Sequence, residues 1–174
     1  MLKSRNIVLR ALELSDVDLL YQWENDEELW YLSNTLVPFS KFTLEQYILS
    51  ASQDIFTNKQ LRLMIDKKNQ GITKTIGSID LFDFDPANKR AGIGILIVDG
   101  ERNKGVASEA LKIVLDYCFD VLHLHQVYCN ILPNNDASIK LFKKFNFVLA
   151  GTKKEWIRVK GKWLDEHIFQ LVRT

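Results

Sequence analysis

The sequence predicts a mixed α/β (α+β) fold with a central, mostly antiparallel sheet of seven strands and about four helices. Three apolar runs at 61–66, 74–84 and 90–98 are separated by turn residues, a pattern typical of an antiparallel meander. After these runs comes a segment with helical apolar spacing, and then another short apolar run. Because a helix connects the run at 90–98 to this last run, the two are predicted to be parallel strands, the fourth and fifth of the sheet. The 174 residues suit one domain, 1–174.

The first part of the chain predicts one strand and two helices. Residues 7–12 form the strand, and Ser15, followed by acids, has the pattern of a helix N-cap. A capping-box pattern that begins at Thr43 predicts a second helix ending near Asn58. The connection at 29–42 is long and rich in aromatic residues. It is therefore either a functional segment or a structural loop that its aromatic side chains hold to the core.

The second part of the chain completes the sheet around two more helices. A helix is predicted at 104–119, and Asn134 or Asn135 caps a last helix that runs to Phe145. The remaining strands are predicted at 126–131, 148–159 and 162–172, the last two joined by a tight turn at 160–161.

Composition limits the classes of partner. With 47% hydrophobic residues, 26% charged residues and a net charge of +1, the chain has no overall attraction to nucleic acid or to a membrane surface. No apolar run approaches the roughly 18 residues of a membrane span. Cys118 and Cys129 lie in apolar segments without metal-type spacing, which predicts buried thiols, no metal site and a reducing, cytoplasmic location.

The junction at 98–107 is the strongest functional signal. An apolar strand meets a short polar loop that opens directly into a helix. The first backbone N–H groups of a helix have no internal partner, and the helix dipole adds partial positive charge there, so an anion can bind. Arg102 and Lys104 add two full positive charges, which together predict a phosphate site.

Two common phosphate motifs do not fit this loop. Gly100 and Gly105 have P-loop spacing, but Val106 and Ala107 stand where Lys and Ser or Thr are required. A dinucleotide-binding fingerprint fails as well, because no third glycine opens the helix. The pattern that remains is Arg102-x-x-Gly105-x-Ala107, for which an ordinary basic helix N-terminus is the alternative reading.

This pattern resembles the pyrophosphate-binding signature, Arg/Gln-x-x-Gly-x-Gly/Ala, of the GCN5-related N-acetyltransferase (GNAT) family. The predicted order of elements is similar to that family's over nearly the whole chain. The segment 130–147 also resembles its asparagine-rich turn and following helix, with Asn146 in place of a glycine. Within the family, the chain looks most like the branch of spermidine and ribosomal-protein acetyltransferases.

The resemblance implies that acetyl-CoA is the cosubstrate and that the fourth and fifth strands splay apart to hold its pantetheine arm. The fourth-strand residues with that role would be Leu96, Ile97 and Val98. The pyrophosphate would be wrapped by Arg102, Asn103, Lys104, Gly105, Val106 and Ala107. Contacts from the other side would come from Asn130, Asn135, Ser138, Phe142 and Lys144, although turn capping and a solvated lysine are alternatives.

The residues of catalysis depart from the family pattern. Phe142 stands where many members have a tyrosine that protonates the leaving thiolate, so Tyr128 or water would serve instead, or the thiolate leaves unassisted. Gly92 stands where the spermidine enzymes have a glutamate. Asp80 is the first candidate for the general base, acting through water, and Asp83 is the second.

Two functions follow from the resemblance. The first is an N-acetyltransferase that acts on a primary amine, either a small molecule such as a polyamine or amino sugar or a peptide N-terminus; the second is an inactive CoA-binding module with a regulatory role. Acids at 24–28 together with Asp80, Asp83 and Asp85 would suit a cationic amine, yet the segment 34–41 lacks the paired glutamates of the spermidine enzymes. A homo-oligomer is left open.

Overall fold

The computed structural model describes residues 2–33, 35–51, 54–69 and 71–173. The strands are β1 Ile7–Ala11, β2 Leu61–Asn69, β3 Ile72–Asp85, β4 Arg90–Ile97, β5 Gln126–Ile131, β6 Val148–Val159 and β7 Lys162–Val172. They form one sheet in the order β1-β2-β3-β4-β5-β7-β6. Neighbours are antiparallel except β4 and β5, which are parallel, and this confirms the predicted fold class.

The helices lie in three of the connections between strands, those from β1 to β2, from β4 to β5 and from β5 to β6. They are α1 Val17–Glu24, α2 Trp30–Ser33, α3 Lys41–Ser50, α4 Ile55–Asn58, α5 Val106–Asp116 and α6 Asp136–Lys144. A π-helical turn, Tyr117–Val121, continues α5, so helical structure reaches slightly beyond the predicted end. Within the described ranges, no helix is long and apolar enough to cross a membrane.

The start of α1 differs from the prediction. Ser15 does not cap the helix; a 3₁₀ turn, Leu14–Asp16, precedes it. Asp16 as a whole is only 3% exposed, and its carboxylate accepts the Glu13 N–H at 2.9 Å as well as two hydrogen bonds from Arg10. Sequence spacing cannot reveal this arrangement, because its cationic partner lies on β1.

The predicted second helix is wrong in its start and in its length. Ser40, rather than Thr43, is the N-cap of α3, because its hydroxyl accepts the Thr43 N–H at 3.1 Å. The helix ends at Ser50, and α4 is a separate turn capped by Asp54. The long connection before α3 contains the short helix α2, while Asn34 in that connection and Gln70 in the β2–β3 turn lie outside the described residues.

The main core lies between the sheet and helices α5 and α6. It joins Leu63, Ile79, Leu81, Ile93 and Val127 of the strands to Ala110, Leu111 and Val114 of α5. A smaller cluster of Leu20, Leu44 and Ile48 packs α1 against α3. Cys118 and Cys129 are free and buried in the main core, as predicted, and burial raises the pKa of the Cys118 thiol to about 12.

Candidate active site

A gap opens between two central strands. The parallel pairing of β4 and β5 covers only Arg90 with Gln126, Ala91 with Val127 and Gly92 with Tyr128. Strand β4 continues to Ile97 and β5 to Ile131 without further pairing between the described residues of the two strands. The predicted splay is therefore present, and it leaves unpaired backbone along one edge of β4.

The hydrogen-bond pattern identifies which β4 residues face this gap. The Val98 N–H donates to the Ile76 carbonyl of β3 at 3.0 Å, so Val98 and, by alternation, Leu96 direct their backbone groups toward β3. Ile95 and Ile97 direct theirs toward the gap. The Ile97 carbonyl accepts a 3.0 Å hydrogen bond from Arg102 Nε, which ties the polar loop to the end of the strand.

The polar loop forms an open, basic turn at the N-terminus of α5. Asn103 and Gly105 both have left-handed backbone, with φ of 61° and 80°. A Cβ on Gly105 would meet no described atom within 4 Å, and no described side chain caps the helix. Arg102 and Lys104 lie beside this space, where Arg102 forms an ion pair with Asp99 and Lys104 forms one with Glu101. The space and its donors fit a pyrophosphate.

The opposite wall of the gap comes from β5 and α6. Asn130 is exposed on β5, and Asn135 caps α6 by accepting the Ser138 N–H at 3.1 Å. Lys144 Nζ donates to the Ser108 hydroxyl in the first turn of α5 at 2.9 Å. The end of α6 thus lies beside the basic loop, which places Lys144 next to the proposed phosphate site.

Phe142 belongs to the core. Its side chain is 4% exposed and packs edge-on against Phe147, with ring centroids 5.0 Å apart. Asn146, between the end of α6 and Phe147, has a left-handed backbone with φ of 64°, as expected of a residue that replaces glycine.

Asp80 lies on the sheet face opposite α5, within a network of charged side chains. Arg62 donates to both of its carboxylate oxygens, and Arg62 also contacts Glu24 of α1. The Arg62 guanidinium lies over the Tyr47 ring, 5.6 Å from its centroid. Burial raises the pKa of Asp80, and Arg62 opposes that shift by stabilising the ionised carboxylate.

Arg62 is not among the residues predicted from the sequence, although the sequence contains a signal for it. Arg62 is a charged residue between apolar neighbours near the start of β2, and Asp80 is an acid between apolar neighbours on β3, directly opposite Arg62 in the antiparallel register. The acids at 24–28 do not act as one patch. Glu24 faces Arg62, whereas Glu28 is exposed and lies 3.3 Å from Lys160.

A second polar group surrounds a cavity of about 580 Å³ at the other end of this face. The Tyr128 hydroxyl donates to Asp83 at 3.0 Å, and Asp85 pairs with Arg90 at 3.2 Å. Gln126 and Gln170 complete the polar lining. Burial and the hydrogen bond to Asp83 raise the pKa of Tyr128 to about 12, so the phenol is protonated at neutral pH.

Comparisons with known proteins agree with this geometry. A family profile described as Acetyltransferase (GNAT) domain matches residues 6–148. The chain is 30% identical to an N-acetyltransferase named p20 from Bacillus licheniformis, over 99% of this chain and 96% of that protein.

Solved structures show the same fold. The crystal structure of spermidine N-acetyltransferase from Vibrio cholerae in complex with CoA and spermine aligns with a TM-score of 0.86 at 22% identity, covering 97% of this chain and 96% of that one. A dodecameric structure of that enzyme aligns with a TM-score of 0.81 at 23% identity, over 97% and 95% of the two chains. The profile and the p20 relative, with the splayed strands and the basic loop, show that this chain belongs to the GNAT acetyltransferase family and is an acetyl-CoA-dependent N-acetyltransferase.

Proposed function

We propose that the chain binds acetyl-CoA in the gap between β4 and β5 and transfers the acetyl group directly to a primary amine in a ternary complex. One observation carries this proposal. Among the described strands, the parallel pair β4 and β5 separates after three residue pairs, and a short basic loop leads from the end of β4 to the N-terminus of α5, which no described side chain caps.

The cosubstrate would lie with its pantetheine arm along β4. Backbone groups of Ile95 and Ile97 face that arm, as deduced from the β3–β4 hydrogen bonds. The pyrophosphate would occupy the open space over Gly105, with Arg102 and Lys104 released from their surface ion pairs to reach it. Lys144 would reach a phosphate of the adenosine end, and Asn130 and Ser138 would line the opposite wall.

The reaction would join the amine nitrogen to the thioester carbon while the carbon–sulfur bond breaks. The amine must lose two protons overall, one before attack and one on forming the amide, and the leaving thiolate takes up one. An alkylammonium with a pKa near 10.4 is about 3.4 units from deprotonated at pH 7, or about 4.6 kcal/mol, whereas a thiol is only about 1.5 units from ionised. Accepting the amine's proton is therefore the harder task.

Asp80 is the residue proposed for that task, acting through water. It lies on the face opposite α5, its carboxylate is held in one orientation by Arg62, and burial raises its pKa toward the range of a useful base. With Phe142 in the core, the thiolate would leave unassisted, or take its proton from water or from Tyr128.

The acceptor proposed is an amine that is cationic before it reacts. We call the sheet face opposite α5, which carries Asp80, the acceptor face. Four carboxylates lie on it: Glu24 and Asp80 near Arg62, and Asp83 and Asp85 near Tyr128. A polyamine, a protein N-terminus and an amino sugar all carry such a group. The structure of the Vibrio cholerae enzyme with CoA and spermine supports the polyamine.

The setting proposed is the cytoplasm, as a homo-oligomer. Both cysteines are free, which suits a reducing compartment. The dodecameric Vibrio cholerae enzyme supports self-association.

The test is release of free CoA thiol from acetyl-CoA in the presence of single amines from each class, with the mass of each product measured. We expect thiol release that depends on an amine, with one acetyl group added to it. Tight CoA binding without transfer to any amine would instead indicate a module without catalysis.

A further inference from the structure

The acceptor face of β4 carries two glycines beside the gap. Gly92 is the last β4 residue paired with β5, and Gly94 follows it on the same face. A Cβ on Gly92 would lie 2.3 Å from Cε2 and Cζ of Phe82, and a Cβ on Gly94 would lie 3.9 Å from Cε1 of the same ring. The Phe82 ring therefore occupies the space that a side chain at position 92 would fill.

The Phe82 ring has one neighbour on β3 and another on β5. Asp80 precedes it on the same face, with its Cβ 4.0 Å from the Cβ position of Gly94. On the other side, Phe82 packs edge-on against Tyr128 of β5, with ring centroids 5.7 Å apart at 83°. Phe82 thus stands between Asp80 and the cavity lined by Tyr128 and Asp83, at the point where β4 and β5 separate.

We infer that Phe82 determines acceptor specificity by restricting the width of the space beside Asp80 to an amine on an unbranched methylene carbon. This inference rests on the proposed function, which places the attacking nitrogen between Asp80 and the gap. A substituent on the carbon that bears the nitrogen would meet the edge of the Phe82 ring. Gly92 and Gly94 have no side chains to fill the space over β4 beside Asp80, so the Phe82 ring is the feature that limits the width of this space.

The test compares two isomers, n-butylamine and sec-butylamine, which differ in branching at that carbon. We expect the wild-type enzyme to prefer n-butylamine by about tenfold or more in kcat/KM, the range in which a pocket discriminates small groups sterically. In Phe82→Ala the preference should fall to about threefold or less, because the space opens toward the Asp83 cavity. The KM for acetyl-CoA should change by less than about twofold, since Phe82 pairs with Gly92, near the opposite end of β4 from the basic loop.

Two further variants keep the result interpretable. Phe82→Leu, a milder change, should give an intermediate preference if Phe82→Ala fails to fold. Phe84→Leu is the matched control, because Phe84 is a core residue, 4% exposed, whose ring packs edge-on against the exposed ring of Phe56. It should lower stability while keeping the wild-type preference.

Three outcomes contradict the inference. These are a wild-type enzyme that acetylates both isomers equally well, a folded Phe82→Ala enzyme that keeps the full preference, and a folded Phe82→Leu enzyme that does so. A protein that binds CoA but acetylates no amine at all contradicts the proposed function itself, and the specificity role of Phe82 with it.

Discussion

Arg62 holds both carboxylate oxygens of Asp80, with Nε to Oδ1 at 2.7 Å and Nη2 to Oδ2 at 3.1 Å. The pair is bidentate, so it fixes the direction of the carboxylate as well as its charge. The third contact of Arg62, with Glu24, joins the pair to α1. These contacts hold Asp80, the proposed base, in a fixed position beside α1.

The first prediction concerns Asp80 itself. With an alkylamine acceptor, Asp80→Asn should lower kcat/KM by more than about tenfold, because general-base catalysis contributes about 10² to 10⁴ in rate. Asp83→Asn, which removes the second candidate, should have a smaller effect. Steady-state kinetics of both variants decide between the two acids, and an Asp80→Asn enzyme with wild-type kcat/KM would remove Asp80 from the reaction.

A second prediction concerns the pH dependence that Arg62 imposes. Burial raises the pKa of Asp80 and Arg62 opposes this, so Arg62→Gln should raise that pKa further. The base must be ionised, and therefore the ratio of Arg62→Gln to wild-type kcat/KM should fall as the pH is lowered from about 8 to about 6. Arg5→Gln, at an exposed arginine, is the control. A ratio that is constant across this range would show that Arg62 does not tune the base.

A third prediction follows from the position of Phe142. Phe142→Tyr places a hydroxyl in the core beside Phe147, and an unpaired buried hydroxyl costs about 1–3 kcal/mol of unfolding free energy. Activity should change by less than about tenfold, because a thiolate is already a stable leaving group. Urea unfolding and kcat/KM measure the two effects. A large gain in rate without a loss of stability would mean that the residue faces the thioester.

The C-terminal half of the chain was predictable because its signals are local. Strands β5, β6 and β7 have the predicted bounds, and the loop from Arg102 to Ala107 lies at the predicted junction of strand and helix. The N-terminal helices were less predictable, because several caps compete there. Both Ser40 and Thr43 can cap a helix, and in the structure Ser40 does so by accepting the Thr43 N–H.

The acceptor face was the least predictable part of the site. The roles of Arg62 and Phe82 depend on which strands are neighbours and on their register, and neither follows from spacing along the chain. The direction of the backbone groups on β4 also depends on register: those of Leu96 and Val98 point toward β3, and those of Ile95 and Ile97 point toward the gap. The assignment of Leu96, Ile97 and Val98 to the cosubstrate stays a prediction.

A fourth prediction concerns stability. Arg10 binds Asp16 at 2.7 Å and Asp66 at 2.8 Å, and these carboxylates are only 4% and 11% exposed. Arg10→Met should lower the unfolding free energy by about 3–5 kcal/mol, because it leaves buried charges unpaired. Lys41→Met is the matched control; it breaks an exposed pair with Asp18, which solvent screens, and should have a much smaller effect. Urea unfolding at neutral pH gives both values, and similar losses would contradict the prediction.

The ion pair of Arg10 with Asp16 also makes the unfolding free energy depend on pH. Burial acts to raise the pKa of Asp16, but hydrogen bonds from Arg10 and Glu13 outweigh it and hold that pKa below its ordinary value. The stability that Asp16 contributes is therefore present above its unfolded pKa, near 3.9, and is lost as the pH falls further. The difference between wild type and Arg10→Met should accordingly shrink in acid.

The most direct test of acetyl-CoA binding at the basic loop is calorimetric titration of CoA into the wild type, Gly105→Val and Gly161→Val. Both glycines have left-handed backbone, with φ of 80° and 83°, and a Cβ on either meets no described atom within 4 Å, so the two variants carry the same backbone strain. We expect the wild type and Gly161→Val to bind CoA with similar affinity in the micromolar range, as is common for such substrates, and Gly105→Val to show no measurable binding while still folded. If folded Gly105→Val binds CoA as tightly as Gly161→Val does, the pyrophosphate does not lie at this loop.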